Sequence, residues 1–268
     1  MKTALLYFSG TGNTKRVGEV FKDYLLEKKH NEVDMIDIST HRQSLSNYDL
    51  LIAGTPTYTM TSSRNMNDFI QMYVNKTNNP KAQFITYVTH GWGHSYGHLT
   101  LQEFITKLGF RVIGAQSFLA PSNFYVYNEK VQPKQNEVEI RRLYEKITID
   151  VKGLMDACLN GYIRIEKKST FKKQQAKLIS ALSRKAFINQ FSAKTLSVDG
   201  DKCTRCLVCV KKCPNKNIAL IDGNIRFSKN CSACSRCMHI CPQNAYAYRG
   251  KTFEQYNMNQ QSISEQLK

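Results

Sequence analysis

Eight cysteines between residues 203 and 241 constrain this chain more than any other feature of it. They form two runs of identical spacing: Cys203-x2-Cys206-x2-Cys209-x3-Cys213-Pro214, then Cys231-x2-Cys234-x2-Cys237-x3-Cys241-Pro242. The period is 28 residues, and two copies point to a small pseudo-symmetric unit rather than a solenoid. In a secreted domain this density would suggest disulfides; in a cytosolic chain with CxxC spacing, metal is the better reading. Paired zinc sites would share the CxxC pairs but have no use for a third Cys at x2 followed by x3-Cys-Pro. The spacing is that of the bacterial iron–sulfur run, whose fourth Cys ligates the other cluster. Three thiolates in one tight loop cap one face of a cubane, and the fourth arrives from elsewhere. One 4Fe-4S cluster is therefore assigned to Cys203, Cys206, Cys209 and Cys241, and a second to Cys231, Cys234, Cys237 and Cys213.

The 268 residues leave room for a larger domain before these runs. The pattern predicts strands near 2–8, 32–38, 48–53, 82–88 and 110–118, with helices near 14–29, 64–75, 98–108 and 136–159. In the first helix Val17, Val20, Phe21, Tyr24 and Leu25 fall at helical spacing. Alternation at these lengths argues for a parallel sheet with helices on both faces. A further helix is expected over 170–193, and the tail after 252 is polar.

The first strand runs straight into Ser9-Gly10-Thr11-Gly12-Asn13-Thr14. This is neither a Walker A sequence nor a GxGxxG dinucleotide fingerprint, because Lys15 stands where each needs another residue. A Gly- and hydroxyl-rich loop between a strand and a helix N-terminus aims backbone N–H groups at an anion, which suits one terminal monophosphate. Two further loops follow predicted strands: residues 54–60 (GTPTYTM), with Thr55, Pro56, Thr57 and Tyr58, and residues 89–93 (THGWG), with Thr89, His90, Gly91, Trp92 and Gly93.

The loop 9–14 resembles the phosphate loop of the flavodoxins, and the other two fall where that family places its second and third flavin loops. The resemblance spans about residues 1–158 and implies a doubly wound, five-stranded parallel α/β sheet of flavodoxin type. FMN would sit at the carboxyl ends of its strands, with Tyr58 or Trp92 stacked on the isoalloxazine. Residues 197–250 resemble the two-cluster bacterial ferredoxins, small α+β domains in which the clusters help to hold the fold. Together the halves resemble flavodoxin–ferredoxin fusion proteins, chiefly from anaerobic prokaryotes. The implied organisation is an FMN-binding domain over 1–160, a basic helical connector over 161–196, a two-cluster ferredoxin domain over 197–252 and a tail over 253–268.

Charge departs from that resemblance. Residues 1–160 hold 18 Lys/Arg against 15 Asp/Glu, whereas residues 161–268 hold 20 against 6. Flavodoxins and bacterial ferredoxins tend to be acidic, so this basic half points to redox partners with an acidic docking surface. No nucleic-acid recognition fold is evident, and no stretch reaches the ~18 apolar residues of a membrane span. The expected location is the cytoplasm. The expected function is electron transfer between the two clusters and FMN, joining one- and two-electron chemistry. The alternative is an FMN-dependent reductase of a small, anionic substrate fed by its own clusters. A homodimer is one way to bring flavin and cluster together. Gly93-His94-Ser95-Tyr96-Gly97 spells the hydrolase elbow GxSxG, but the preceding strand ends too early for it. His94 and His98 could share a helix face, and Cys158 reads as a small buried apolar residue.

Overall fold

The computed structural model describes residues 1–256 apart from 31, 94, 124 and 131. In chain order the elements are β1 (Thr3–Tyr7), α1 (Asn13–Glu27), β2 (Val33–Asp37), β3 (Leu50–Tyr58), β4 (Thr61–Ser62), α2 (Arg64–Tyr73), β5 (Gln83–His90), α3 (Gly97–Lys107) and β6 (Arg111–Leu119). There follow α4 (Tyr125–Asn128), α5 (Glu137–Leu159), β7 (Arg164–Ile165), α6 (Thr170–Ala186), a 3₁₀ turn (Ile188–Gln190) and α7 (Phe191–Thr195). The cysteine-rich part holds β8 (Leu196–Val198), α8 (Val208–Lys211), β9 (Ile218–Ile221), β10 (Asn224–Phe227), α9 (Arg236–Ile240) and β11 (Tyr246–Tyr248). Tertiary contacts divide the chain into two compact units. The first comprises residues 1–9, 13–122 and 135–178; the second comprises 10–12, 123–134 and 179 onward.

The first unit is a sheet of order β2-β1-β3-β5-β6-β7, all parallel along this path. Its five long strands have the 2-1-3-4-5 order of the flavodoxin-like fold. The sheet is larger than the five strands expected from sequence. The two-residue β7 extends one edge, and the two-residue β4 folds back antiparallel on β3. Strands this short bury too little to leave a periodic signal. β1 and the first six residues of β3 are almost wholly buried, because helices cover both faces of the sheet. Helices α1 and α5 pack together, and α2 packs with α3. In α1 the buried apolar residues are Val17, Val20, Phe21, Tyr24 and Leu25, the stripe its sequence predicts. Helix α5 opens with a full capping box, Asn136 on the Glu139 N–H and Glu139 on the Asn136 N–H.

The second unit has a small core of Phe191, Leu196, Met238 and Tyr246. β8 pairs antiparallel with β11, and β9 with β10 through an Asp222-Gly223 turn in which both residues have positive φ. The single helix expected over 170–193 ends at Ala186, and Phe187 leaves helical geometry. Its continuation, α7, buries Phe191 against Tyr127 and Tyr248, with ring centroids at 5.5 and 6.1 Å. Packing around that ring overrides the uninterrupted helical pattern. No helix among the described residues is long and apolar enough to cross a membrane.

Candidate cofactor sites

The two cysteine runs fold alike. Arg205 and Ala233, Leu207 and Ser235, and Lys216 and Asn244 each stand 28 residues apart, and all six have φ between 44° and 61°. These left-handed residues coil each run tightly enough to turn its thiols inward. After each Cys-Pro the chain repeats its hydrogen bonds. Asn217 N–H donates to Cys213 Sγ (3.3 Å) as Ala245 N–H does to Cys241 Sγ (3.4 Å). Lys216 N–H and Asn244 N–H donate to the Cys213 and Cys241 carbonyls, each at 3.2 Å.

The runs enclose two cavities. Cys203, Cys206, Cys209 and Cys241 line one, with Val198, Ile225 and Tyr246. Cys231, Cys234, Cys237 and Cys213 line the other, with Phe191, Ile218 and Met238. Each cavity thus takes three cysteines of one run and the Cys-Pro cysteine of the other. Among the described residues, no three His, Cys, Asp or Glu side chains converge on a point that could hold one metal ion. Zinc would need four sulfurs each ~2.3 Å from a single centre. Thiols ringing a volume, with N–H groups donating to sulfur, fit a cubane instead.

The Gly-rich loop leads into α1, whose first turn carries no acidic residue. Gly12 has φ 107°, a conformation open to glycine. Ser9 and Thr14 are buried. The Thr14 hydroxyl bonds the Thr89 hydroxyl at 2.7 Å, joining the first and third segments. Asn13 is held at both ends: its Nδ2 donates to the Pro121 carbonyl, and its Oδ1 accepts from Tyr144 Oη (3.1 Å). Tyr87, unremarked in the sequence, donates from Oη to the Thr14 carbonyl at 2.9 Å. Its ring lies over Gly54, its register partner on β3, where an added Cβ would fall 1.9 Å from Tyr87 Cζ. A glycine opposite a large aromatic was the available signal. An anion-binding N-terminus framed by hydroxyls, with no carboxylate in its first turn, fits a monophosphate.

The second and third segments are less loop-like than expected. Thr55, Pro56, Thr57 and Tyr58 extend β3, with Thr57 and Tyr58 paired to Ser62 and Thr61. The turn falls at Thr59 and Met60, both with positive φ. Thr89 and His90 end β5, so the third loop begins at Gly91. A Cβ on Gly91 would lie 2.4 Å from Ser122 Oγ, so that approach needs glycine. Trp92 is 61% exposed, and Tyr58 is half-buried, edge-on to Phe8 at 6.4 Å. All three segments lie at the carboxyl ends of β1, β3 and β5.

A half-buried ionic pair lies beside them. Glu166 accepts from Ser117 N–H and Oγ, both at 2.7 Å, and pairs with Lys168 Nζ at 3.0 Å. Lys168 also donates to the Ser95 carbonyl (2.9 Å) and Ser117 Oγ (3.1 Å). Ser95 Oγ bonds Thr57 Oγ1 at 2.6 Å. His98 is fully buried with Nε2 3.5 Å from Glu166. Burial lowers the His98 pKa to about 4 despite Glu166, so the ring is neutral. Burial raises the Glu166 carboxyl, but the Ser117 hydrogen bonds and Lys168 outweigh it and hold the group below its ordinary value. Ser95 lies between β5 and the start of α3 at Gly97, so the GxSxG elbow is absent. His94 lies outside the described residues. Cys158 is buried, donating to the Ile113 carbonyl (3.4 Å).

Residues 4–108 match the family model of a flavodoxin domain, and residues 195–242 match that of a 4Fe-4S dicluster domain. No match was found among curated proteins. Among solved structures, a flavodoxin from the domain Archaea is similar at 18% identity and TM-score 0.42, over 57% of this chain and 97% of that one. Oxidised flavodoxin 1 from Bacillus cereus is similar at 16% identity and TM-score 0.39, over 56% and 98%. The rubredoxin oxygen:oxidoreductase of Desulfovibrio gigas is similar at 16% and 0.39, over 58% of this chain and 37% of that protein. The chain is a fusion of a flavodoxin domain with a 4Fe-4S dicluster domain, an electron-transfer flavo-iron-sulfur protein that takes FMN and two clusters.

Proposed function

We propose that this protein links one-electron and two-electron redox partners in the cytoplasm of an anaerobe, over the domain boundaries 1–160, 161–196, 197–252 and 253–268. When bound, the clusters supply one-electron exchange and FMN supplies storage of one or two electrons. Ser9, Gly10, Thr11, Gly12, Asn13 and Thr14 hold the FMN phosphate through backbone N–H groups and hydroxyls. Thr55–Tyr58 and Thr89–Gly93 hold the ring, with Tyr58 or Trp92 against its face. The eight cysteines hold the clusters in the exchanged pairing. The observation that carries this reading is the pair of cavities, each ringed by three cysteines of one run and one of the other.

Partners are redox proteins with an acidic surface, steered by the basic C-terminal half. Arg205 and Arg226 line an open cavity beside Cys203, a surface suited to such a carboxylate-rich face. A homodimer is an additional assembly in which flavin and cluster could meet. The alternative, a reductase of a small anionic substrate, draws on Lys168 and His98 near the third segment. Both are committed to Glu166, and Lys168 also to Ser95 and Ser117, so the carrier reading leads. The test is an anaerobic spectrum of purified protein with iron, sulfide and flavin counted per chain. About eight irons and one FMN, all bleached by dithionite, are expected. Zinc in place of iron, or no flavin uptake when FMN is supplied, would sink the relay.

A further inference from the structure

The two cysteine runs share a backbone and differ in their cover. Cys206 is exposed, whereas its counterpart Cys234 is half-buried. Val210 is half-buried and Lys211 exposed; their counterparts Met238 and His239 are buried. Helix α8 buries no side chain, whereas α9 buries two. Part of the cover comes from the tail, where Gln255 Nε2 donates to the Met238 and Cys241 carbonyls at 2.8 and 2.9 Å. Tyr256 N–H donates to His239 Nδ1 at 3.0 Å.

The rest comes from an unexpected place. After β6 the chain makes an excursion, residues 123–134, that belongs to the second unit. There Tyr127 packs edge-on to Phe191 and to Tyr248 (5.0 Å for the latter pair). Its hydroxyl bonds Ser235 Oγ and reaches Met238 Sδ at 3.8 Å. Ser235 and Met238 both line the cavity of the second run. Four residues earlier, Asn123 Nδ2 donates to Thr11 Oγ1 at 3.4 Å, at the tip of the Gly-rich loop. One five-residue stretch thus touches that tip at one end and the wall of the second cysteine site at the other.

We infer that Tyr127 is a positioning residue which seals the Cys231/Cys234/Cys237/Cys213 site from water, and that the Cys203/Cys206/Cys209/Cys241 site is the more open of the two. The inference rests on the reading of both cavities as 4Fe-4S sites. Reduction adds negative charge to a thiolate-held cluster, and water stabilises that charge. The sealed site should therefore have the more negative potential.

The experiment is a potentiometric titration of full-length, cofactor-loaded protein followed by electron paramagnetic resonance, with a dissolved paramagnetic ion as accessibility probe. In the unaltered protein one cluster signal should be broadened by the ion and the other protected. Tyr127→Leu should move the protected signal alone to a less negative midpoint and open it to the ion. Tyr127→Phe keeps the ring and loses the Ser235 bond, so the same signal should shift less; should the Leu variant not accumulate, this variant decides. Asn123→Ala should weaken FMN affinity several-fold and leave both signals in place. Equal accessibility of the two clusters, movement of the accessible signal, or no movement at all would overturn the inference. Fewer than about eight irons in the unaltered protein would instead overturn the cluster reading on which it rests.

Discussion

The flavodoxin unit and the dicluster unit are held together in different ways. The first buries Leu5, Leu6, Phe21, Leu51, Ile52, Phe84, Val88 and Leu154 almost completely, an apolar core with no cysteine of the two runs in it. In the second, a small cluster of Phe191, Leu196, Met238 and Tyr246 is packed against side chains that include Cys209, Cys231, Cys237 and Cys241. In one unit the fold makes the site; in the other the site is much of the fold. Small domains with so little apolar interior depend on what their ligands hold.

The largest expected effect tests that contrast directly. Cys213→Ser removes a cysteine from the first run but lines the second cavity. Iron should fall by about half, one of two cluster signals should disappear, and the region after residue 195 should become protease-sensitive. FMN binding should persist. Loss of FMN binding along with the cluster would break the contrast, and retention of both clusters would break the exchanged pairing.

The reciprocal substitution is Gly54→Ala. Its Cβ would overlap the Tyr87 ring, which is itself fixed by stacking on Phe21 at 5.0 Å and by the Thr14 carbonyl. Neither backbone nor ring can withdraw easily, so a loss of about 3 kcal/mol is expected in denaturant unfolding of the flavodoxin unit. Iron content should not change. A variant as stable as the parent would show that Tyr87 has room to move.

These two positions also show what a sequence can reveal. That three cysteines of each run line one cavity is legible because their x2 spacing lets a single loop present them. The first helix is legible because Val17, Phe21 and Leu25 repeat at its period. Tyr127 is not, because nothing in YVYN states that the chain leaves one unit there to cover a site a hundred residues on. Glu166 and Lys168 sit in a short polar stretch that reads as linker, and only tertiary contact gives them Ser95, Ser117 and His98 as neighbours. The helix break at Phe187 is hidden likewise, since Phe191 finds its partners on distant segments.

Acid should act on the flavodoxin unit next. The groups facing His98 are Glu166 and Lys168, with His90 nearby. The folded ring titrates at about 4 rather than at its ordinary 6.5, so below pH 6.5 the unfolded chain binds the extra proton. Stability from this burial is complete above about pH 6.5 and is lost as pH falls from there toward 4. Glu166, held below its ordinary value, withdraws its contribution in the same direction at lower pH. Flavodoxin-unit unfolding followed against pH should slope through this window, and His98→Asn should flatten it. An unchanged slope would mean that His98 charges without unfolding.

The smallest effect concerns the joint between the first and third segments. Thr14→Val keeps the size of the side chain and removes the hydroxyl that bonds Thr89 Oγ1 at the carboxyl end of β5. One neutral hydrogen bond contributes about 1 kcal/mol net, and the Thr89 hydroxyl left behind adds to the loss because it is buried. The cost in unfolding should therefore be roughly 1–2 kcal/mol, below that of Gly54→Ala. Thr14 is also one of the hydroxyls framing the helix N-terminus, so FMN affinity should fall more than stability alone explains. Thr89→Val breaks the same bond from the other side without touching that N-terminus. Measured together, the pair separates the two roles. Because Thr89 is assigned to the flavin ring, the readout that separates them is inorganic phosphate: equal stability losses with weaker phosphate binding only in Thr14→Val would place the phosphate at the start of α1. Equal phosphate affinities in both variants would show that Thr14 acts only as a joint between segments, leaving the anion to the backbone N–H groups.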